Sequence, residues 1–249
     1  MGNIESRAIS FGKSLEAAGY SVVWKPKKAF VPWATIEALP ATAATMLLGI
    51  FRELGGMPAC QTALAPRGWD MQADQILIEF DEDLHFNRYR SLSLATPWAP
   101  DLPWSTLYGD YAMGMEGLCM KAGRHGGKWA NFSSDRMFGG SDEKGGLEPL
   151  GASRWKQRAL YDAVKDAYAL YSPMVSLARV SIHDQIGGKN VNQATKKGIL
   201  LEPEALRAFL TARTVPLERD AAGQCQGKSG EYHRSRDIYS LRRSQQEKS

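Results

Sequence analysis

The fold of this chain is decided by residues 67–86, which read RGWDMQADQILIEFDEDLHF. Segment 76–80 is rich in branched and aromatic residues, a composition typical of a strand packed on a core. Because side chains alternate along a strand, we expect Glu79 and Asp81 to share one face and to lie roughly 7 Å apart.

A tight hairpin is predicted to bring a third carboxylate to the same face. In this prediction Ala73 and Asp74 form a two-residue loop. Asp70 then pairs with Leu77 on the following strand and lies diagonal to Glu79. The sequence therefore predicts that three carboxylates converge just before His85.

These carboxylates predict a divalent metal site. Neighbouring carboxylates repel and raise one another's pKa, a penalty that a bound Mg²⁺ removes. We therefore expect Asp70, Glu79 and Asp81 to bind Mg²⁺ (or Mn²⁺). His85 would accept a proton near pH 7 or hold a phosphate. The alternatives are a solvated acidic strand edge and a histidine that only caps the strand end.

The order Asp70, short hairpin, Glu79-x-Asp81, His85 resembles the core of the restriction-endonuclease-like (PD-(D/E)XK) nucleases. These carry an Asp on one strand and Glu-x-Lys on the next. The nearest likeness is to the branch of the very-short-patch mismatch-repair endonuclease, whose second strand reads apolar-Glu-x-Asp-Gly followed by a His. This chain has Asp81 instead of the superfamily's Lys and Glu82 instead of that Gly. The resemblance implies an α/β fold, with a mixed central sheet flanked by helices.

Other residues are candidates for the rim of this site. Arg88 and Arg90 follow His85, where a scissile phosphate would need cations. An ordinary solvated helix or loop is the alternative for them. In the nuclease family, a Glu of the first helix assists the metal and a polar residue of a later helix lies at the rim. The residues that match these two positions are Glu5, Glu37, Glu53, Gln157 and Arg158.

The composition restricts the class of protein. The 249 residues carry a net charge of +4, a mild excess that permits binding to nucleic acid without requiring it. Three widely separated cysteines form neither a disulfide framework nor a zinc motif. No apolar run is long enough to span a bilayer, and no secretory signal opens the sequence. We therefore expect a soluble cytoplasmic protein without a membrane partner. The sequence does not indicate its oligomeric state.

The resemblance implies one nuclease-like domain over residues 1–215, whose elements follow from apolar periodicity and capping residues. Residues 91–150, rich in Pro, Trp and Gly, are interpreted as a long insertion that either contacts substrate or forms a mobile surface loop. The polar segment 216–249 is predicted to be a flexible tail. The predicted helices span 4–18, 41–54, 153–171 with Ser153 as N-cap, and 202–213. A short strand is predicted over 21–24 and a buried strand over 174–182.

A basic and aromatic segment follows the first predicted strand. Lys25, Lys27 and Lys28 lie close in sequence to Phe30 and Trp33. Basic residues beside aromatic ones suit a nucleic-acid backbone with stacked bases. The alternative is an exposed turn beside a packed strand.

The sequence thus favours a metal-dependent endonuclease that hydrolyses DNA phosphodiester bonds. Three alternatives stay open. One is a DNA-binding module of the same fold that has lost its chemistry, and another is a carboxylate-metal phosphoesterase that acts on small substrates. The third is a structural protein, which would be favoured if Asp70 faced away from Glu79.

Overall fold

The quoted segment forms a hairpin in the computed structural model, which describes residues 4–64, 66 and 68–216. Strands β2 (Met71–Ala73) and β3 (Ile76–Asp81) are antiparallel, with Met71 opposite Ile78. The loop is Asp74–Gln75, one residue later than predicted. Asp74 has a φ of 50°, which Asp tolerates, and its carboxylate accepts a hydrogen bond from Ser21 at 2.9 Å.

The predicted loop is therefore wrong by one residue, and burial explains the difference. Ala73 is fully buried and stays in the strand, so the loop begins after it. The corrected register, continued past Met71, places Asp70 directly across from Glu79 instead of opposite Leu77. In both registers Asp70 lies on the same face of the sheet as Glu79.

The central sheet has five strands in the order β1–β2–β3–β4–β7. The pairs β1–β2, β2–β3 and β4–β7 are antiparallel, whereas β3 and β4 are parallel. Strands β5 and β6 form a separate hairpin. The bounds of these strands are β1 (Val22–Trp24), β4 (Ser176–Ser181), β5 (Gln185–Ile186), β6 (Lys189–Asn190) and β7 (Thr214–Val215).

Helices cover both faces of this sheet. On one face, α1 and two later helices pack against Ile78 and Phe80. On the other face, a larger core joins Leu77 to residues of α2, α4, α6 and α7. The bounds are α1 (Ile4–Ala17), α2 (Ala41–Glu53), α3 (Arg88–Ser93), α4 (Ser105–Gly114), α5 (Glu116–Gly123), α6 (Phe132–Phe138), α7 (Ser153–Tyr171), α8 (Val191–Lys197) and α9 (Pro203–Arg213). The chain is thus a mixed α/β protein with a mixed central sheet flanked by helices.

Helix α7 is the longest described helix and directly precedes β4, the strand that pairs in parallel with β3. Its predicted span is confirmed, but Ser153 is its first helical residue and not its N-cap, which is Ala152. The Ser153 hydroxyl donates instead to the Asp135 carboxylate at 2.6 Å. Most of the helix is buried, so its polar side chains must find partners inside the protein.

Residues 91–150 do not form a surface loop. They contain α4, α5, α6 and short 3₁₀ turns, and they place Trp104 and Tyr108 in the larger core with no exposed surface. These helices were not predicted because the segment is rich in proline and glycine and each helix is only 7 to 10 residues long. The segment therefore builds one wall of the protein.

Two further expectations concern the C-terminal tail and membrane-spanning helices. The predicted flexible tail lies outside the described residues from position 217 onward. Within the described residues, no helix combines the length and the apolar character needed to cross a bilayer.

Candidate functional site

The site is built on the face of β3 that carries Glu79 and Asp81. Parallel pairing with β4 sets Arg179 opposite Glu79, so that a guanidinium lies on the same face as the two acids. Helix α7 covers this face and adds Asp162, Lys165 and Asp166. A charged cluster therefore fills the space between sheet and helix.

Arg179 is the centre of the cluster and is fully buried. Its Nη1 donates to both oxygens of Asp81, at 3.0 and 2.8 Å. Its Nε donates to Asp166 at 2.6 Å, and its Nη2 donates to Asp162 at 3.2 Å. Burial alone would lower the pKa of Arg179, but the three carboxylates raise it well above its ordinary value. Arg179 therefore stays charged.

A second buried guanidinium supports the same acids. Arg90 donates to Asp166 at 2.8 Å and has no exposed surface. Three carboxylates (Asp81, Asp162 and Asp166) thus meet two guanidiniums. Both guanidiniums donate to Asp166, whereas Asp81 and Asp162 each also bring one oxygen close to His85.

His85 lies beside two of these carboxylates. It ends a 3₁₀ turn after β3, and its Nδ1 is 2.8 Å from Asp162 Oδ2 and 3.0 Å from Asp81 Oδ1. Burial alone would raise the pKa of Asp162, but His85 and Arg179 hold it well below its ordinary value. Burial would raise the pKa of Asp81 too, and the same two partners lower it. Both acids are therefore ionised at neutral pH.

Asp81, His85 and Asp162 form a group that could hold a metal ion, since one ligand atom from each lies within 4.8 Å of the others. An octahedral Mg²⁺ with bonds of about 2.1 Å places adjacent ligand atoms about 3 Å apart. The 2.8 and 3.0 Å separations of Nδ1 from the two carboxylates match that spacing. Two carboxylates and an imidazole also fit the ligand preferences of Mn²⁺.

Glu79 lies outside this group because it has its own partner. Its Oε1 accepts a hydrogen bond from Lys165 Nζ at 2.6 Å, and Nζ also donates to the Gly68 carbonyl at 2.9 Å. Burial raises the pKa of Glu79 to about 8, although Lys165 acts in the opposite direction. The ammonium of Lys165 thus reaches Glu79 from α7.

Asp70 is exposed and does not join the group either. Its Oδ2 accepts a hydrogen bond from the Phe80 backbone N–H at 3.0 Å. Among the described residues, the predicted trio of Asp70, Glu79 and Asp81 does not come within ligand distance of one ion. The structure instead gathers Asp81 with His85 and Asp162.

A pocket of about 570 Å³ opens beside His85. It lies at the end of β3, between α1 and α7, and Asp70 and Glu82 line it together with His85. Glu82 forms an ion pair with Arg7 at 2.8 Å, which balances its charge. The pocket volume falls in the range of small-ligand sites.

Arg158 lines this pocket from α7. Its Nη1 is buried and has no hydrogen-bond partner among the described residues. Burial and the neighbouring guanidinium of Arg154 lower the pKa of Arg158. A guanidinium in this condition gains from an anion, and phosphate is the anion whose geometry it matches best.

The other predicted rim residues have different surroundings. Arg88 is partly exposed and pairs with Glu116 at 2.9 Å. Arg90 is buried in the ionic cluster, so it does not offer its guanidinium to a substrate. Gln157 is buried and donates to Ser133 at 3.1 Å.

The two candidate helical glutamates whose side chains are described, Glu37 and Glu53, do not reach the site. Glu37 and Glu53 are exposed, and neither lines the pocket. The side chain of Glu5 lies outside the described residues.

The sequence did not identify Asp162, Lys165 and Asp166 of α7 as site residues, nor Arg179. A signal was present for both. The polar residues of α7 at 158, 162, 165 and 166 follow the spacing i, i+4, i+7, i+8, which places them on one helix face. Arg179 interrupts an apolar strand, where a charge is stable only beside a buried partner.

Comparisons with known proteins give one match. No curated protein and no solved structure matches the chain. A family model matches residues 49–197, more than half of the sequence, and this range includes Asp81, His85 and Asp162 as well as Arg158 and Arg179. The chain therefore belongs to DUF7255, a family of unknown function.

Proposed function

We propose that this protein is a metal-dependent phosphodiesterase that hydrolyses DNA internally. One observation carries the proposal. An Asp81–His85–Asp162 group that suits a divalent cation adjoins a pocket into which Arg158 brings a guanidinium with an unsatisfied Nη1. Metal-dependent hydrolysis of a phosphodiester uses both a cation that activates water and a positive group that binds the phosphate oxygens.

The connectivity of the chain supports the nuclease resemblance. A helix precedes three antiparallel strands, and a long helix then leads to a fourth strand that is parallel to the third. The nuclease family follows its metal strand with such a helix and strand. In this proposal the restriction-endonuclease-like core comprises α1, β1–β3, α7 and β4, and the helices of residues 91–150 are an addition to it.

Lys165 supports the resemblance further. The superfamily places a lysine next to its metal-strand glutamate, and this chain has Asp81 at that position. Lys165 reaches Glu79 from α7 at 2.6 Å and supplies the missing positive charge by another route. We infer that it serves the same electrostatic purpose.

The residues then have distinct roles. Asp81, His85 and Asp162 would hold Mg²⁺ or Mn²⁺, which when bound supplies Lewis acidity and lowers the pKa of a water molecule. Arg158 binds the phosphate and offsets charge that develops on its oxygens. Lys165 keeps Glu79 in place behind the site, and Asp70 lies at the edge of the pocket.

A second candidate is a DNA-binding module that performs no hydrolysis. One observation favours it, because both oxygens of Asp81 already have partners. Arg179 donates to each of them, and Tyr108 donates to Oδ2 at 2.9 Å. In this case His85 would remain bonded to Asp81 and Asp162, and Arg158 would still bind the DNA backbone.

Asp162→Asn tests the first candidate against the second. We expect wild-type protein to cleave plasmid DNA with Mg²⁺ or Mn²⁺ and to lose that activity with a chelator. The variant should lose at least about 100-fold in rate, the effect expected when a metal ligand is disturbed. Asp110→Asn, which changes an exposed acid on α4, is the matched control and should retain full activity.

Binding of Mn²⁺ provides a readout other than activity. Titration calorimetry should detect one ion in wild-type protein and in Asp110→Asn, and a much weaker site in Asp162→Asn. Products that form without metal would contradict the proposal. Salt-sensitive DNA binding without cleavage would select the second candidate.

A further inference from the structure

Part of the lining of the pocket beside His85 is apolar, and binding of a phosphate does not require an apolar surface. Half of the ten residues that line the pocket are apolar, and these five come from three separate parts of the chain. Trp24 is 39% exposed and Ile9 is 45% exposed, so both present apolar surface to the pocket. The apolar lining residues are Ala8, Ile9, Trp24, Phe80 and Leu84.

Trp24 is held in place by its surroundings. It ends β1 and pairs with Met71 of β2. A Cβ at position 12 would overlap the indole, so Gly12 allows the ring to lie directly against α1. The packed part of the ring fixes its orientation, and the remaining surface lines the pocket.

Charged side chains line the pocket as well. Arg158 and His85 line it from α7 and from the turn after β3. The two carboxylates of the lining are already engaged, since Asp70 accepts a hydrogen bond from Phe80 and Glu82 pairs with Arg7. The pocket therefore joins an aromatic platform to a guanidinium that has donors to spare.

The size of the pocket limits what it can hold. A cube of 570 Å³ has an edge of about 8 Å, whereas the major groove of DNA alone is about 12 Å wide. A base pair within a double helix cannot enter such a space. One base with its sugar and phosphate can.

We infer that this pocket receives a single unpaired nucleotide of a DNA strand, with its base on Trp24 and Ile9 and its phosphate on Arg158. This inference rests on the proposed function and names its substrate class. Aromatic stacking accepts any base, so the site would select for unpaired structure and not for sequence. Single strands, frayed ends and extrahelical nucleotides would be bound in preference to continuous duplex.

Binding in the presence of a chelator tests the inference without hydrolysis. Fluorescence anisotropy would compare a labelled 12-nucleotide single strand, the matching duplex, and a duplex with one bulged nucleotide. We expect the single strand and the bulged duplex to bind at least tenfold tighter than the continuous duplex. Unlabelled deoxynucleoside monophosphate should compete with the strand only weakly, because it lacks the neighbouring phosphates.

Three variants and one control locate the binding. Trp24→Ala should weaken single-strand binding roughly 5- to 100-fold, the range measured for loss of one base–aromatic stack, whereas Trp24→Phe should retain most of it. Arg158→Met should weaken binding and reduce the slope of log affinity against log salt by about 0.7. Phe132→Ala removes an aromatic ring that is 85% exposed and lies outside the pocket, and should change nothing.

Four results would overturn the inference. They are absence of binding, equal affinity for duplex and single strand, equal effects of Trp24→Ala and Phe132→Ala, and competition by the free monophosphate at the strand's own affinity. Loss of the proposed function has a different signature. In that case Trp24-dependent binding of single strands would persist, while no substrate would be cleaved with Mg²⁺ or Mn²⁺.

Discussion

Two arginines on the same side of the sheet have opposite surroundings. Arg179 is fully buried and donates to three carboxylates. Arg158 lines a pocket, and its buried Nη1 has no partner among the described residues. The difference shows which charge serves the fold and which is available to a ligand, because a buried ion is stable only when its hydrogen bonds are satisfied.

The comparison extends to the acids. Around Arg179 each carboxylate has a cationic partner, and Asp81 and Asp162 also contact His85, next to the pocket that Arg158 lines. The structural cluster and the candidate site therefore share Asp81 and Asp162. A substitution at either acid affects both stability and function. Substitutions of Arg179 and Arg158 allow the effects on stability and on function to be separated.

Replacing Arg179 should give the largest effect. Arg179→Met leaves three buried carboxylates without their main partner, and we expect it to lower the free energy of unfolding by about 3–5 kcal/mol. Arg158→Met removes a desolvated charge without breaking an ion pair, so it should change stability by less than about 1 kcal/mol. Urea denaturation of the two variants measures the difference. Equal losses would remove the distinction between the two residues.

Replacing Glu79 should give an intermediate effect that depends on pH. The folded state holds a proton on Glu79 up to about pH 8, whereas the unfolded chain releases it near the ordinary value of 4.5. Between these values the wild type should lose about 1.4 kcal/mol of unfolding free energy per pH unit relative to Glu79→Gln. Denaturation at pH 5, 6 and 7 measures this slope.

The matched control for this prediction is Glu37→Gln, which changes an exposed acid. It should show the pH dependence of the wild type. A Glu79→Gln variant that runs parallel to the wild type across the interval would show that Glu79 stays ionised in its pair with Lys165.

The smallest effect is expected from a third arginine, which is paired but exposed. Arg88 donates to Glu116 through Nε and Nη2, and 45% of its side chain is exposed. Arg88→Ala should therefore cost less than about 1 kcal/mol, as is typical of solvated ion pairs. It should also leave single-strand binding unchanged, which anisotropy would check. Weaker binding would restore the predicted contact of Arg88 with the substrate.

Much of the architecture was accessible from local patterns. The period of apolar residues predicted α1, α2, α7 and α9 to within one or two residues, and the branched residues of segment 76–80 predicted β3. The helices of residues 91–150 were missed because each is short and flanked by Gly or Pro. Their formation depends on burial of side chains such as Trp104 and Tyr108, which the local sequence does not reveal.

The sequence by itself determined that Glu79 and Asp81 share a face of β3 and that His85 follows them, because strand periodicity is a local property. Only the tertiary structure decided their partners. Parallel pairing brought Arg179 to Asp81, and α7 delivered Asp162 to His85 and Lys165 to Glu79. Those contacts join residues about 80 to 100 positions apart, and their energy depends on burial and distance, which no local pattern encodes.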